Sequence, residues 1–170
     1  MSQKVVGVAG WKNSGKTGLV ERLVAALSAR GWRVATVKHA HHNFDIDHEG
    51  TDSFRHRAAG AREVAIVSGR RWALVHENAP DEPEPILDEI LARLSPCDLV
   101  IVEGYKRENH PKIEAYRQES ARASGLLAQE LPTIHAIASD TPLDGVTLPV
   151  FDLDDTAAIA DFILSECGLA

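Results

Sequence analysis

Apolar positions along this chain fall into two alternating patterns, short continuous runs and runs at helical spacing. Val5-Val6-Gly7-Val8-Ala9 is continuous and of strand length, and Leu19, Val20, Leu23, Val24 and Leu27 follow at three- and four-residue intervals. These predict a first strand over Val5–Ala9 and a helix over Lys16–Ala29. Gly31 stops that helix, and Arg33–Val37 reads as the second strand. Lys38–Gly50 is polar, rich in His and Asp, and predicts a loop; a short helix fits Asp52–Ala59, with Gly60 ending it. Glu63–Val67 and Trp72–His76, on either side of Ser68-Gly69-Arg70-Arg71, predict an antiparallel hairpin. Asn78–Pro85 is Pro-rich and acidic, too short to divide two domains, and reads as a surface loop leading into a helix over Ile86–Leu94. Asp98–Val102 has the apolar continuity of a central strand covered on both faces, and it runs into Glu103-Gly104. Lys112–Tyr116 and Ile134–Ala138 predict further strands with an irregular polar stretch between them. Val150-Phe151 is a last short strand, and Thr156–Glu166 a terminal helix with Ala157, Ile159, Ala160, Ile163 and Leu164 on one side. Strands alternating with helices define an α/β fold: a mostly parallel twisted sheet with helices on both faces, plus the antiparallel hairpin.

Composition narrows the class. The 170 residues, 44% of them hydrophobic, suffice for one domain spanning 1–170 with a full core. The two cysteines, Cys97 and Cys167, have no metal-type spacing, which fits reduced thiols in the cytoplasm. No apolar run has membrane-spanning length, and the first one is too short for a signal peptide, so a soluble, cytoplasmic protein is expected, with no membrane partner. A formal charge of -7 argues against a broad nucleic-acid surface, which draws on clustered Lys and Arg.

The candidate chemistry begins at Gly10-Trp11-Lys12-Asn13-Ser14-Gly15-Lys16-Thr17, which matches the phosphate-loop pattern G-x-x-x-x-G-K-[ST] and stands between a strand and a helix, where such a loop functions. Gly10, Asn13, Ser14, Gly15 and Gly18 form a backbone that can approach a polyphosphate, and the N–H groups at the helix start attract an anion. Lys16 is expected to reach the terminal phosphates, and the Thr17 hydroxyl to complete a magnesium shell. Glu103, an acid at the end of a buried strand, is the candidate carboxylate for that shell; an ordinary strand-end acid is the alternative.

Three further segments carry open readings. Lys38 through His48 holds His39, His41, His42 and His48 with Asp45 and Asp47. It reads as a phosphate and magnesium loop using Lys38 and Asp47, as a zinc or nickel site, or as a solvated loop. Arg55, His56 and Arg57 form a basic helix face suited to an acidic ligand, a partner or solvent. Asp140, after the late strand, is placed to accept the two adjacent donors of guanine, although an Asp before Pro142 is also a common turn residue.

These motifs taken together resemble a known family, the molybdopterin-guanine dinucleotide biosynthesis adaptor proteins (MobB). The resemblance spans nearly the whole chain. It rests on the phosphate loop with its Trp, Lys38-His39-x-His41-His42, Asp45-x-Asp47, Asp52-Ser53 to Ala59-Gly60-Ala61, Arg71-Trp72-Ala73-Leu74, Val102-Glu103-Gly104-Tyr105-Lys106 and Ile137-Ala138-Ser139-Asp140. It implies a P-loop NTPase fold, GTP with Mg2+ as ligand, a homodimer, at most weak GTP hydrolysis, and a molybdenum cofactor guanylyltransferase as partner to which GTP is supplied or positioned. On this reading Arg55, Arg57, Lys106 and Lys112 are expected to face the phosphate of molybdopterin or the partner enzyme. One departure concerns hydrolysis: dimeric P-loop ATPases of the nitrogenase-iron-protein type carry a second lysine where this chain has Trp11. Two other functions share the loop, a nickel-delivering metallochaperone GTPase and an ATP-dependent small-molecule kinase or ligase of the dethiobiotin-synthetase kind.

Overall fold

The structure, a computed structural model, describes residues 3–40, 44–121 and 125–170, which divide into two compact units, 1–39 with 87–170 and 40–86. The larger unit is built on a six-stranded sheet. Its strands are β1 (Lys4–Ala9), β2 (Val34–Lys38), β5 (Leu99–Glu103), β6 (Lys112–Tyr116), β7 (Ile134–Ser139) and β8 (Val150–Asp152), in the order β2-β5-β1-β6-β7-β8 with every neighbouring pair parallel. The helices are α1 (Lys16–Ala29), α3 (Leu87–Arg93), α4 (Gln118–Ala121) and α5 (Thr156–Glu166). The smaller unit holds α2 (Asp52–Ala58) and the antiparallel hairpin β3 (Glu63–Val67) with β4 (Trp72–His76).

The parallel sheet is covered on both faces. On one, Val6, Val8, Leu99, Ile101, Ile113 and Ala115 pack with Leu19, Leu23 and Leu27 of α1 and Ile159, Ala160 and Ile163 of α5. On the other, Val37, Val100 and Val102 meet Leu87, Ile90 and Leu91 of α3. Full burial of a side chain of this size is worth roughly 1.5–3 kcal/mol, so β5, buried at all five positions, is the anchor of the sheet. This is the mostly parallel α/β sheet with an antiparallel hairpin expected from the apolar pattern, and the P-loop NTPase-like fold that the resemblance implies. α1, β3, β4, β6 and α5 have the expected limits, while β2 begins and ends one residue later and thereby includes Lys38.

One expectation needs correction. The stretch between β6 and β7 is not uniformly irregular: it contains α4 and a 3-10 turn, Leu127–Gln129. The turn is organised from inside the sheet, because the Glu114 carboxylate, fully buried on β6, accepts hydrogen bonds from the backbone N–H groups of Leu127 (2.8 Å) and Ala128 (2.9 Å). These are free helix-start donors that would otherwise be buried without partners. Periodicity cannot show a buried carboxylate on a strand reaching a turn thirteen residues away. Among the described residues no helix is long and apolar enough to cross a membrane, and both cysteines are free thiols.

Candidate functional site

β1 ends at Ala9, and the chain turns through residues 10–15 into α1. The turn needs its glycines for different reasons. A Cβ on Gly10 would sit 2.3 Å from Ser14 Oγ and 2.5 Å from the Ala115 carbonyl. Gly15 caps α1 in the left-handed region at φ 93°, and Asn13, also left-handed at φ 65°, is a residue type that tolerates that conformation. Left-handed residues at Asn13 and Gly15 give the loop the tight turns that an anion-binding concavity requires. Ser14 is buried, and its Oγ finds no hydrogen-bond partner among the described residues. A hydroxyl left without a partner in a protein interior costs about 1–3 kcal/mol.

The side chains around the loop carry excess positive charge. Lys16 Nζ donates to the Trp11 carbonyl across the loop at 2.6 Å. Its pKa is lowered, first by burial, against the opposing pull of Glu103, and further by the charges of Lys106 and Lys38. Lys38, at the end of β2, lies 3.3 Å from Glu103 Oε1. The Lys106 ammonium stands 4.3 Å from the centroid of the Trp11 ring, and the Trp11 indole N–H is fixed by a 2.9 Å hydrogen bond to the Gly125 carbonyl. The guanidinium of Arg117, just past β6, lies beside Gly15, 3.1 Å from where a Cβ would be. Sequence reasoning missed Arg117 as a loop neighbour, and it did not foresee that Trp11 seats Lys106. The available signal was position: Arg117 follows directly on a strand adjacent to β1, at the carboxyl end where ligands of parallel sheets bind.

Thr17 and Glu103 come together as expected. Thr17 Oγ1 donates to Glu103 Oε1 at 3.1 Å, which joins the first turn of α1 to the end of β5. The parallel register aligns Lys38, Glu103 and Val8 across β2, β5 and β1, and so delivers the acid to the mouth of the loop. A hydroxyl and a largely buried carboxylate, both oxygen donors beside a polyphosphate cradle, suit a hard divalent cation such as magnesium.

The remaining candidates have their own surroundings. Asp140 is exposed directly after β7, and its Oδ1 accepts from the Gln118 backbone N–H at 3.0 Å, which pins the carboxylate at the same carboxyl edge of the sheet. Asp47 belongs to the smaller unit and is strongly engaged there. Its Oδ1 accepts from Thr51 Oγ1 (2.9 Å), Ser53 Oγ (2.8 Å) and the His48 N–H (3.2 Å), and its Oδ2 from Arg57 Nε (3.3 Å). Burial pushes its pKa up, but these hydrogen bonds outweigh burial and hold it below the ordinary value. Arg57 is also bound by Asp45 at 2.8 Å and Glu77 at 2.6 Å. The four-histidine reading falls partly on His41 and His42, which lie outside the described residues; His39 packs its ring on Tyr105, centroids 4.7 Å apart.

Two of the basic residues expected to face a phosphate or a partner are placed otherwise. Lys112 is fully buried, its ammonium donating to the carbonyls of Glu108 and His110 (2.9 Å) and to Thr133 Oγ1 (3.1 Å). Arg57 is enclosed by its three carboxylates, 13% exposed. Both were read as surface cations because charge alone does not reveal a buried partner set.

Residues 5–140 match the family model described as molybdopterin guanine dinucleotide synthesis protein B. The chain is 38% identical over 162 residues to the molybdopterin-guanine dinucleotide biosynthesis adapter protein of Escherichia coli, covering 94% of this chain and 91% of that one. It is also 38% identical over 166 residues to the adapter of the same name from Haemophilus influenzae, covering 94% and 86%. The crystal structure of a MobB homolog from Bacillus stearothermophilus superposes with a TM-score of 0.71 at 34% identity, over 98% of this chain and 99% of that one. A model match over most of the chain and full-length relatives at this identity place the protein in one family: it belongs to the MobB family.

Proposed function

We propose that this chain binds GTP with magnesium and acts as an accessory protein in molybdopterin-guanine dinucleotide formation, supplying or positioning GTP for a partner guanylyltransferase. The observation that carries the reading is the charge state of the phosphate loop. Lys16, Lys38, Lys106 and Arg117 gather at the loop against two acids, Glu103 and the buried Glu114, in a protein whose net charge is -7. A polyanion resolves that imbalance, and a polyphosphate does so with the geometry of the loop. On this reading Gly10, Asn13, Ser14, Gly15 and Gly18 supply the backbone cradle, Lys16 and Lys38 hold phosphate oxygens, and Thr17 with Glu103 hold magnesium, which neutralises charge on the phosphates. Asp140 accepts from N1–H and the exocyclic amine of guanine. Asp47, whose Oδ2 accepts one hydrogen bond from Arg57, adds to the ion shell or senses the terminal phosphate.

The protein works by holding its nucleotide, as a homodimer with weak hydrolysis at most. Trp11, where an activating lysine would stand, supports slow turnover. The adapter names of the Escherichia coli and Haemophilus influenzae relatives support the pathway and the partner enzyme. Calorimetric titration of GTP, GDP and ATP with magnesium into native protein and into Lys16→Ala and Asp140→Ala tests the reading. GTP is expected to bind more tightly than ATP, Lys16→Ala to lose both, and Asp140→Ala to lose the preference for guanine. Equal binding of GTP and ATP by native protein removes the base assignment. Rapid ATP turnover with a metabolite acceptor replaces the adaptor reading with a kinase or ligase.

A further inference from the structure

The segment that leaves β5 after Glu103 is turned back over the phosphate loop by an unusual backbone. Gly104 and Tyr105 are consecutive left-handed residues, at φ 95° and φ 46°. Glycine adopts that region freely, whereas tyrosine does so at a cost of about 1–3 kcal/mol and persists there only when its surroundings enforce it. Here the enforcement is visible: the Tyr105 ring lies against His39, and a Cβ on Gly104 would approach His39 Cβ to 3.1 Å. The double turn delivers Lys106 to the face of Trp11, whose indole is itself pinned to the Gly125 carbonyl.

Lys106 makes no ion pair among the described residues. The quadrupole of an indole attracts a cation without neutralising it, and in a partly solvated setting is worth about 0.5–1 kcal/mol. The result is an ammonium held in position without a direct ion pair, close enough for its field to act on Lys16 and, more deeply, on Glu114. Lys16 is repelled by both Lys106 and Lys38, a strain that an anion shared with Lys106 relieves. Thr17 and Glu103 would hold a magnesium ion that neutralises charge on the outermost phosphates of a nucleoside triphosphate, and Lys106 leaves the strand three residues after Glu103.

We infer that Trp11 and Lys106 form a cation shelf that makes Lys106 a direct ligand of the terminal phosphate of the bound nucleoside triphosphate. This deepens the proposed nucleotide reading and rests on it. The shelf gives the loop a means of telling triphosphate from diphosphate, independent of Lys16, which contacts both. Trp11 thereby has a function of its own in the loop: it fixes a lysine that comes from β5.

Titration calorimetry of GTP and GDP with magnesium into native protein, Lys106→Met, Lys106→Arg, Trp11→Leu and Lys16→Ala tests the shelf, with melting temperature checked for each variant. A hydrogen bond to a charged group is worth about 1.5–3 kcal/mol, so Lys106→Met is expected to weaken GTP at least about tenfold while leaving GDP within about threefold of native. Lys106→Arg keeps the GTP preference, and Trp11→Leu, which frees the ammonium without removing it, loses part of it. A merely structural lysine would change GTP and GDP equally, and that result overturns the inference, as does Lys106→Met binding both nucleotides like native protein. If native protein binds neither nucleotide, the nucleotide reading itself fails and the shelf with it. If native and Lys16→Ala proteins behave as proposed but Lys106→Met has no selective effect, the shelf alone fails.

Discussion

Two lysines six positions apart, Lys106 and Lys112, show how this molecule uses charge in two ways. Lys112 lies inside the sheet, its ammonium shared among two carbonyls and a threonine hydroxyl, beside Glu114, whose carboxylate is taken by two backbone N–H groups. Burial lowers the Lys112 pKa and raises that of Glu114, and the full partner set is what lets either remain there. Lys106, at the carboxyl end of the same sheet, rests on an indole without an ion pair among the described residues, its field reaching both Lys16 and Glu114. A saturated polar group fixes the fold, whereas an unsaturated one is held ready for a ligand. Substitutions at the first kind should therefore cost stability, and at the second kind binding.

The comparison breaks most readily at Lys112. Lys112→Ala removes the donor from three oxygens and leaves a cavity where the stem lay, an expected loss of about 3–4 kcal/mol of unfolding free energy in urea melts. Because Lys112 is remote from nucleotide in the reading above, the fraction that remains folded should bind GTP as native protein does. A stable Lys112→Ala with impaired binding would reverse the assignment. Lys16→Ala is the opposite case. It removes charge-assisted contacts to two phosphates, so GTP affinity should fall by at least about a hundredfold in calorimetry. The melting midpoint in the absence of nucleotide should hardly move or should rise, since one of several mutually repelling cations is gone. A lower midpoint would show Lys16 to be a structural residue.

Asp140 sharpens the comparison because it does some of both. One oxygen is bound to the Gln118 N–H and so orders the chain after β6, yet the carboxylate is exposed at the carboxyl edge of the sheet. Asp140→Asn keeps an acceptor for Gln118 but replaces the other with a donor that guanine repels. The ratio of GTP to ATP affinity should drop by about tenfold, with stability changed by less than about 0.5 kcal/mol. An unchanged ratio would make Asp140 a turn residue only.

The same division explains what could be read from the sequence. The phosphate loop, the Thr17 and Glu103 pair and the limits of α1, β6 and α5 were legible because they follow from local pattern: a motif at a strand-helix junction, an acid at the end of an apolar run, and apolar spacing. Lys112 and Glu114 could not be placed, since their partners at Thr133 and Leu127 are set by strand order and loop packing. Arg57 was misjudged for the same reason, its carboxylates at Asp45, Asp47 and Glu77 lying up to twenty residues away. Lys106 was identified as a cation of interest, but its seat on Trp11 depends on two left-handed residues that no periodicity reveals.

His110 provides the finest test, since it stands in the saturated region without being saturated itself. Its Nε2 is buried without a partner near Gly7, where an added Cβ would lie 2.6 Å from it. Burial, with Lys112 as a second and smaller cause, depresses its pKa from 6.5 to about 4. Between those values the unfolded chain takes up a proton that the folded chain refuses, so stability is retained above pH 6.5 and falls as the pH drops toward 4. The full shift would correspond to about 3.4 kcal/mol at 1.36 kcal/mol per unit. The ring is only partly shielded, and solvent screening reduces the expected loss to about 1 kcal/mol. Glu114, with its pKa raised, contributes a slope of opposite sign, stability declining as the pH rises through its window. That contribution is common to native protein and His110→Gln and cancels in their difference. Urea melts of the two from pH 7 to pH 4 should therefore diverge, with the native protein losing about 1 kcal/mol more. Parallel curves would mean that His110 accepts its proton in the folded state, and that this interior has room for an uncompensated charge after all.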